Sequence, residues 1–506
     1  MEDQGSPQFS GECTEKMGVD EMLRRYAGEF GPWQLRHFML TSIAWALNAF
    51  HTIVVVFTDH QPAWRCSSTG GACPATMCAL PPGSWEWAGG RRTSTVAEWG
   101  LVCKAKYKVG MAQSAFFAGS MLGAGIFGHL SDSFLGRKGT LTLVCAMNAT
   151  FGFLTSLSPS LYIYAFLRFL TGLSTGGVGL SAFVLTTEPI GPAKRGTIAT
   201  STFYFFSIGT ILLSIFSLYF HHSWRSLYIF SSLPSLLFLL LILPFISESP
   251  RWYLVRQKTS NAMKVMQKIA KSNGKHIPDG VSLTLDGDIS TKSSSILDVL
   301  RNPVTRARLL LLITINLLNS IAYYGLILNV MNVKTNIYLN VMLNGVAEMP
   351  AYVLTAAALK WYGRKPLTVG TMVFSGVCCG VGSLMEGDGW MGIVRMVCGV
   401  LGVFASTMGF DLVFVYTAEL FPTVVRNAAV GSVTQGGQTG AVVAPLVVAM
   451  GGRWAFLVFA VCEVVGGVMA LYLPETLNQP LYDTMVGLEK GEVEKRDKGA
   501  QEGDGC

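Results

Sequence analysis

Two carboxylates lie inside long apolar stretches of this chain. Glu348 precedes Pro350 by two residues, and Asp411 precedes Ala418 by seven. A charge within a bilayer costs roughly 2.5–3.5 kcal/mol on insertion scales, so each residue could be kept as the counter-charge for a bound cation. The structural alternatives are a bond from Glu348 to a neighbouring helix beside the proline, and a pair between Asp411 and Arg395. Sixteen residues, about 24 Å of helix, separate that pair, which slightly favours the binding role for Asp411.

Aromatic and amide side chains could complete such a site. Ring faces hold a quaternary ammonium group, and each contact contributes about 0.5–2 kcal/mol. Tyr204, next to Phe205 and Phe206, lies in an apolar stretch of the first half, and Asn316 lies in one of the second half. Helix packing is the alternative role for the aromatic residues, and a bridge between helices is the alternative for Asn316.

A set of positions, most of them charged, occurs twice, and the two copies are 227 or 231 residues apart. The pairs are Gly136 and Gly363, Arg137 and Arg364, Arg168 and Arg395, Glu188 and Glu419, and Arg195 and Arg426. Two similar apolar halves with the same loop charges are typical of a transporter built from two repeats, with the substrate path between them. We expect these residues, together with Asp132, to form a gating network, and we place Arg168 and Arg395 near its cytoplasmic side.

The composition predicts a membrane protein made of helices. Half of the 506 residues are hydrophobic and 14% are charged, whereas a soluble domain carries roughly 25% charged residues. Runs of about 18 or more apolar residues predict membrane spans. Twelve such runs occur, at about 38–58, 109–130, 139–158, 161–186, 197–220, 224–246, 307–329, 337–361, 366–386, 391–417, 427–450 and 453–473. The predicted fold is all-α, with two repeats of six transmembrane helices.

The basic residues predict the orientation. If the N-terminus is cytoplasmic, 27 of the 38 Lys and Arg residues fall in cytoplasmic segments, as the positive-inside tendency requires. The expected organisation has two tails, two helical halves, one outer loop and one central loop. These are a cytoplasmic tail at 1–37, a first half at 38–246 with an extracellular or lumenal loop at 59–108, a central cytoplasmic loop at 247–306, a second half at 307–473 and a cytoplasmic tail at 474–506.

The outer loop contains Cys66, Cys73, Cys78 and Cys103. Disulfides persist on the outer side of a membrane, so we expect these residues to form them. Four cysteines allow three pairings, and the sequence does not choose among them. The spacings are not those of a zinc site, so we expect no metal.

Several function classes are disfavoured by missing motifs. The sequence has no Gly-x4-Gly-Lys-Ser/Thr phosphate loop, which disfavours an ATP-driven pump. It has no Ser-His-Asp or HExxH constellation in a soluble domain, so we expect neither an enzyme nor a cofactor. The net charge of +7 follows the topology of the loops and does not indicate binding of nucleic acid.

Four local motifs carry a resemblance to a known family. Residues 128–138 (GHLSDSFLGRK) resemble the loop 2–3 motif of the major facilitator superfamily. The cysteine loop ending in TVAEWGLVC, the SESPRW after span 6 and the AELFPTVVRN after span 10 are similar to the organic cation/anion/zwitterion transporters. Over about 30–480 the chain resembles the organic cation/carnitine branch. Sugar porters share some of these motifs but lack the cysteine loop.

The resemblance implies roles for particular residues. Glu348 matches a glutamate that faces the central cavity, and Tyr323 matches an aromatic residue that lines it. The cluster of Asp132 and Arg137 would hold one state of the gate. The charged position of span 11 that often sets substrate sign falls on Gln438, which is neutral here, and Gly100 also departs from the family pattern.

The expected function is secondary transport of an organic cation or zwitterion of the carnitine, choline or polyamine type, by alternating access. H+ or Na+ is the expected coupling ion, and the lipid bilayer is the surrounding partner. The alternatives are a sugar or polyol–proton symporter of the same superfamily and a transporter-like receptor without turnover. We expect the plasma membrane as the location, with the vacuole or another internal membrane as the alternative.

Overall fold

The computed structural model describes residues 15–66, 77–81, 83–220, 222–284, 296–333, 335–387, 389–477 and 479. Cys73 and the C-terminal tail from residue 480 lie outside the described residues. Ten described helices are long and apolar enough to cross a membrane. Two further long helices, Gly136–Ser156 and Thr423–Met450, bring the set to twelve. Both are rich in Gly, Thr and other small residues, which lowers their hydropathy.

The twelve helices, labelled α1–α12, form two groups of six. They are α1 Pro32–Thr58, α2 Tyr107–Asp132, α3 Gly136–Ser156, α4 Leu161–Thr187, α5 Pro192–Ser217, α6 Trp224–Phe245, α7 Pro303–Asn329, α8 Ile337–Trp361, α9 Arg364–Leu384, α10 Trp390–Leu420, α11 Thr423–Met450 and α12 Gly452–Ala470. The predicted all-α fold with two six-helix repeats is thereby confirmed. Each helix begins and ends within a few residues of the predicted span, because an apolar run and the helix that buries it have the same length.

Local residues explain where several of the helices begin. Proline occupies the first position of α1, α5 and α7, where its missing N–H costs no hydrogen bond. Asn302 caps α7 by accepting the N–H of Val304, and Asn336 caps α8 by accepting the N–H of Tyr338. The last turns of α6 loosen into π and 3-10 geometry, so this helix unwinds where it reaches the cytoplasm.

Small residues let helices within each half pack closely. In the first half α2 lies against α4, where a Cβ on Gly172 would lie 1.9 Å from the carbonyl oxygen of Phe116. A Cβ on Gly123 would lie 1.9 Å from the carbonyl oxygen of Leu173. In the second half α7 packs on α11, and α9 packs on α12. Such contacts stabilise membrane helices, which gain little from the hydrophobic effect among themselves.

The N-terminal segment and the central loop form a small cytoplasmic unit. Strand β1, Glu15–Met17, pairs in parallel with strand β4, Val281–Leu283. The helix Thr259–Ser272 packs below them with Met17, Met22, Met266 and Ile269 in a shared apolar core. The pairing of the N-terminal tail with the end of the central loop was not predicted from the sequence.

The outer loop is also folded. Strand β2, Trp64–Cys66, pairs antiparallel with strand β3, Trp85–Trp87, and a short helix spans Thr95–Trp99. Cys78 and Cys103 form a disulfide, and Cys66 is also disulfide-bonded. The prediction of disulfides in this loop is confirmed.

Candidate functional site

Glu348 lies at the middle of α8. It is eleven residues from the outer end of the helix and thirteen from the cytoplasmic end, about 16 and 20 Å along the axis. Its side chain is 2% exposed. Tyr323 Oη donates a hydrogen bond of 2.6 Å to Glu348 Oε1, and Ser207 Oγ donates one of 2.6 Å to Oε2.

These two hydrogen bonds join the halves of the protein at Glu348. Ser207 belongs to α5 of the first half, whereas Tyr323 belongs to α7 of the second. Both donors are neutral hydroxyl groups, and within the described part of the chain no Lys or Arg forms an ion pair with Glu348. Its negative charge is therefore hydrogen-bonded but not neutralised by the protein.

Aromatic rings surround this carboxylate. Tyr204 and Tyr352 meet edge to face with centroids 5.3 Å apart, and Tyr323 meets Phe410 at 5.1 Å. Tyr323 also meets Tyr324 at 5.0 Å. The rings come from α5, α7, α8 and α10, so four helices of the two halves converge at mid-membrane.

A second carboxylate lies beside the first. Asp411 follows Phe410 on α10, is half-buried, and interacts electrostatically with Glu348 and Tyr204. Among the described residues it has neither a hydrogen bond nor an ion pair. It does not pair with Arg395, which agrees with the helical distance. The structure thus gathers Glu348, Asp411, Tyr323 and Tyr204 into one site.

The two amide candidates are placed differently. Asn316 Nδ2 donates to the carbonyl oxygen of Val433 at 2.8 Å, so this side chain bridges α7 and α11. That geometry favours the bridging alternative, although Asn316 Oδ1 has no hydrogen-bond partner among the described residues. Gln438, on the same α11, is half-buried and has no side-chain hydrogen bond in the described part of the chain.

Three site residues were missed by sequence reasoning. Tyr352 lies four residues after Glu348 and Ser207 lies three after Tyr204, so each shares a helix face with a predicted residue. That spacing could have identified both. Phe410 gave no such signal, because one more phenylalanine in an apolar helix is unremarkable.

The predicted cytoplasmic network exists around Arg137 at the start of α3. Arg137 Nη2 lies 3.0 Å from Glu188 Oε1 and 2.9 Å from Asp132 Oδ1, and the Asp132 side chain is 74% exposed. Glu248 accepts the backbone N–H groups of Arg137 and Lys138. Burial raises the pKa of Glu248, while those backbone donors oppose the rise.

The second half repeats this arrangement at the start of α9. Arg364 Nη2 lies 2.8 Å from Glu419 Oε1, and Glu475 accepts the N–H groups of Arg364 and Lys365. Burial favours the neutral form of Glu475, but its backbone donors outweigh that effect and lower its pKa. The 227-residue repeat is therefore a structural repeat.

Arg195 and Arg426 do not join this network. Arg195 Nη2 lies 2.6 Å from Asp20 Oδ1, and Arg251 contacts the same oxygen. Arg426 has two buried nitrogens, Nε and Nη2, without a hydrogen-bond partner among the described residues. The expectation that Arg195 joins the gating network is wrong, because the docked N-terminal segment supplies its partner instead. Arg426 was expected in the same network and makes no ion pair with the described residues.

Arg168 and Arg395 lie at the opposite ends of their helices from the network. Arg168 is 1% exposed, donates two hydrogen bonds to the carbonyl oxygen of His51 and covers the ring of Phe116 at 4.1 Å. Arg395 covers the ring of Phe456 at 4.8 Å. The prediction of a cytoplasmic position is wrong: even-numbered helices run from outside to inside, so residues near their N-termini lie toward the outer side.

Contacts between the halves occur at mid-membrane and toward the outer side. On the outer side they include hydrogen bonds from Ser114 to Val442 O at 2.7 Å, from Lys106 to Asn332 at 3.1 Å and from Ser214 to Tyr338 O at 2.5 Å. The ring of Phe57 also stacks on that of Tyr338 at 5.5 Å. Over the described ranges, no hydrogen bond, ion pair or ring contact joins the cytoplasmic ends of α1–α6 to those of α7–α12. The site is closed toward the outside, as in the inward-facing state of an alternating-access protein.

Comparisons with known proteins agree with this architecture. A family model described as "Sugar (and other) transporter" matches residues 47–486. Organic cation/carnitine transporter 4 of Arabidopsis thaliana is 58% identical over 96% of this chain and 94% of its own length. An organic cation transporter protein of Drosophila melanogaster is 31% identical, and the match covers 94% of this chain and 95% of that protein. The inward-open xylose transporter of E. coli matches with a TM-score of 0.64 at 17% identity, covering 90% of this chain and 99% of that one.

The fold and the two-half site define an integral, multi-pass membrane transporter of the major facilitator type. Both the family model and the similar proteins cover nearly the whole chain. Within that class, the chain belongs to the organic cation/carnitine transporter family.

Proposed function

We propose that this protein is a secondary transporter that moves small organic cations or zwitterions of the carnitine type by alternating access. The observation that carries the proposal is the buried Glu348 at mid-membrane, which accepts hydrogen bonds from hydroxyl groups of both halves and forms no ion pair with a described Lys or Arg. The similar proteins named as organic cation or carnitine transporters support the substrate class.

The chemistry of the site fits such a substrate. A quaternary trimethylammonium group has no N–H to donate, so it is held by carboxylate charge and by ring faces. Glu348 and Asp411 supply the charge, while Tyr204, Tyr323 and Tyr352 supply the rings. Gln438 remains neutral, so the sign preference of the site rests on these two carboxylates.

Alternate closing and opening of the outer and cytoplasmic sides around Glu348 would carry the substrate across the membrane. In this structure the outer side is closed, and a bound cation would leave toward the cytoplasm. Ser207 and Tyr323 approach Glu348 from different halves, so rocking of the halves would break one of these bonds. In that state, a bound cation would take the place of the hydroxyl group that has moved away from Glu348. We propose H+ or Na+ as the coupling ion.

Sugar transport is the second candidate, since the matching family model is described as "Sugar (and other) transporter". A sugar is bound through hydrogen bonds to its hydroxyl groups. The aromatic rings here, and two carboxylates that form no ion pair with the described residues, suit a cation instead. The xylose transporters share only the fold at 15–17% identity.

Uptake into proteoliposomes tests the proposal. Labelled carnitine, a monovalent quaternary ammonium ion and labelled xylose are offered separately, with and without imposed H+ and Na+ gradients. Saturable uptake of carnitine or the ammonium ion is expected, and a gradient that stimulates it identifies the coupling ion. Uptake of xylose alone would replace the proposal by its sugar alternative, and binding without uptake would indicate a receptor.

A further inference from the structure

A cavity of about 550 Å³ lies at the cytoplasmic surface of the first half, far from Glu348. It is bounded by the cytoplasmic start of α1 at Trp33, by the end of α6 at Pro244 and Phe245, and by the amphipathic helix Thr259–Ser272. The transmembrane helices that border it begin or end at this level. The cavity therefore lies where lipid headgroups surround the protein.

The charged lining of this cavity is predominantly positive. Four basic side chains face it, Arg36, Lys138, Lys268 and Lys271, against the single carboxylate of Glu248. Lys268 and Lys271 are three residues apart on one helix, so their ammonium groups lie on the same face. Lys138 approaches from α3 and interacts electrostatically with Lys268.

These basic groups have few partners among the described residues, and Lys138 is the one that interacts with the carboxylate of Glu248. Over the described residues, Arg36, Lys268 and Lys271 form neither ion pairs nor hydrogen bonds, and the ammonium group of Lys138 donates only to the carbonyl oxygen of Pro244 at 3.4 Å. The carboxylate of Glu248 is already engaged by backbone N–H groups of Arg137, Lys138 and Ser249. Four basic side chains against the one carboxylate of Glu248 leave the cavity with an excess of positive charge, which favours binding of an anion.

The rim of the cavity is apolar on the side of α6. Phe245 lines the cavity and is 72% exposed, and Leu240 and Leu241 above it are also exposed on the face that meets lipid. Basic pockets between transmembrane helices on the cytoplasmic side accommodate anionic headgroups, with the acyl chains lying along the neighbouring apolar surface.

We propose that this cavity binds a phosphate-bearing anion, either the headgroup of an anionic phospholipid such as an inositol phospholipid or a soluble phosphate ester. Lysine ammonium groups act as point charges toward phosphate oxygens. Arg36 and Lys138 lie on membrane helices, whereas Lys268 and Lys271 lie on the central loop, so a bound phosphate would tie that loop to the first half. Glu248 connects the same cavity to the backbone of the gate residue Arg137.

Binding to the purified full-length protein tests this inference. Native mass spectrometry and thermal stability are measured with dioctanoyl phosphatidylinositol monophosphate, dioctanoyl phosphatidylcholine and soluble inositol monophosphate. The test variant is Lys268→Gln/Lys271→Gln, which removes no ion pair of the described structure. The matched control is Lys194→Gln/Lys360→Gln, which removes two exposed cytoplasmic lysines outside the cavity.

The inositol phospholipid is expected to bind the wild type and the control and to stabilise both. The test variant is expected to bind it at least about tenfold more weakly, since each lysine near an anionic surface contributes appreciably. Competition by soluble inositol monophosphate at similar concentration would identify a soluble ligand, and its failure to compete would identify a lipid. Equal binding by the test variant, or no preference over phosphatidylcholine in the wild type, would overturn the proposal.

Discussion

At the residue scale, Glu348 combines two properties that rarely occur together. It is buried at the middle of the membrane, and its only hydrogen-bond donors among the described residues are the neutral hydroxyls of Ser207 and Tyr323. A buried carboxylate without a cationic partner is expensive to maintain, so it is expected to be compensated by its ligand. The neighbouring rings offer that ligand further contacts.

Replacing Glu348 by Gln is expected to raise the half-saturation concentration for organic cations at least about tenfold. Losing one partner of a buried charge pair typically costs about 2 kcal/mol or more. Concentration-dependent uptake measures the effect, with detergent-solubilised yield as the check on folding. Glu386→Gln, at an exposed carboxylate, is the control and should transport normally. Unchanged kinetics for several cations in Glu348→Gln would remove Glu348 from the site.

Gly136 is a second position where one residue decides the structure. Its φ is +79°, and a Cβ there would lie 2.4 Å from Glu248 Oε2. We expect Gly136→Ala to cost about 1–2 kcal/mol for the left-handed backbone and to slow transport by displacing Glu248 from the backbone it binds. Thermal unfolding and uptake measure both effects.

The control for that change is Gly139→Ala on the same helix. Its Cβ would meet Leu135 at an ordinary 3.5 Å, so stability and transport should be retained. Equal stability of the two variants would show that the Gly136 turn tolerates a side chain.

The sequence identified part of the site at this scale. A charge in an apolar run is visible without a structure, so Glu348 and Asp411 were found. Arg168 and Arg395 were predicted near the cytoplasmic side, whereas they lie toward the outer side. The repeat shows which residues correspond, but it does not show in which direction each helix crosses the membrane. Ser207 was missed because a serine in a membrane helix usually only packs or bonds its own backbone.

At the element scale, closure of the outer side depends on α2 and α11 crossing closely. A Cβ on Gly110 would lie 2.7 Å from the carbonyl oxygen of Pro445, so only glycine fits this crossing. About one helical turn away, Ser114 donates to Val442 O across the same contact.

We therefore expect Gly110→Val to disfavour the inward-facing state and to lower uptake at least about tenfold, because the two backbones can no longer meet. A Ser114→Cys reporter in that background should react faster with an impermeant thiol reagent added outside. Gly125→Val, on the same helix with no atom within 4 Å of its Cβ, is the control. Slow labelling in the Gly110→Val background would contradict this account of the outer gate.

The ion pair between the exposed Asp132 and the largely buried Arg137 leads to a different expectation. In this state such a pair stabilises the fold by about 1 kcal/mol or less, so Asp132→Ala should leave thermal stability nearly unchanged. It should slow turnover, because Asp132 is available to the second half only when the cytoplasmic side closes. Maximal rate and half-saturation are measured separately, and normal turnover with weak binding would contradict the gating role.

The positions of the membrane helices could be predicted from the sequence, whereas the contacts of the N-terminal segment could not. Apolar runs located all twelve helices, since a bilayer demands about 20 apolar residues per span. The pairing of β1 with β4 joins residues 15–17 to residues 281–283, and nothing in either short segment indicates the other. The same holds for the salt bridge from Asp20 to Arg195.

At the scale of the whole molecule, the two halves are alike in the loops that carry Arg137 and Arg364 and unlike in what covers those loops. Arg137 with Glu248 and Arg364 with Glu475 repeat the same contacts. The first half adds the docked N-terminal segment, the folded central loop and the basic cavity between them. We expect this asymmetry to make the first half the regulated one, whereas the site between the halves determines what is carried.

Counterflow in proteoliposomes tests the central claim most directly. Vesicles are loaded with unlabelled carnitine, diluted into labelled carnitine or a labelled quaternary ammonium ion, and followed for transient accumulation. We expect accumulation that requires internal substrate, is reduced in Glu348→Gln and is retained in Glu386→Gln. Folded protein that binds either compound but shows no exchange, or exchange that is indifferent to Glu348, would contradict alternating-access transport of an organic cation at this site.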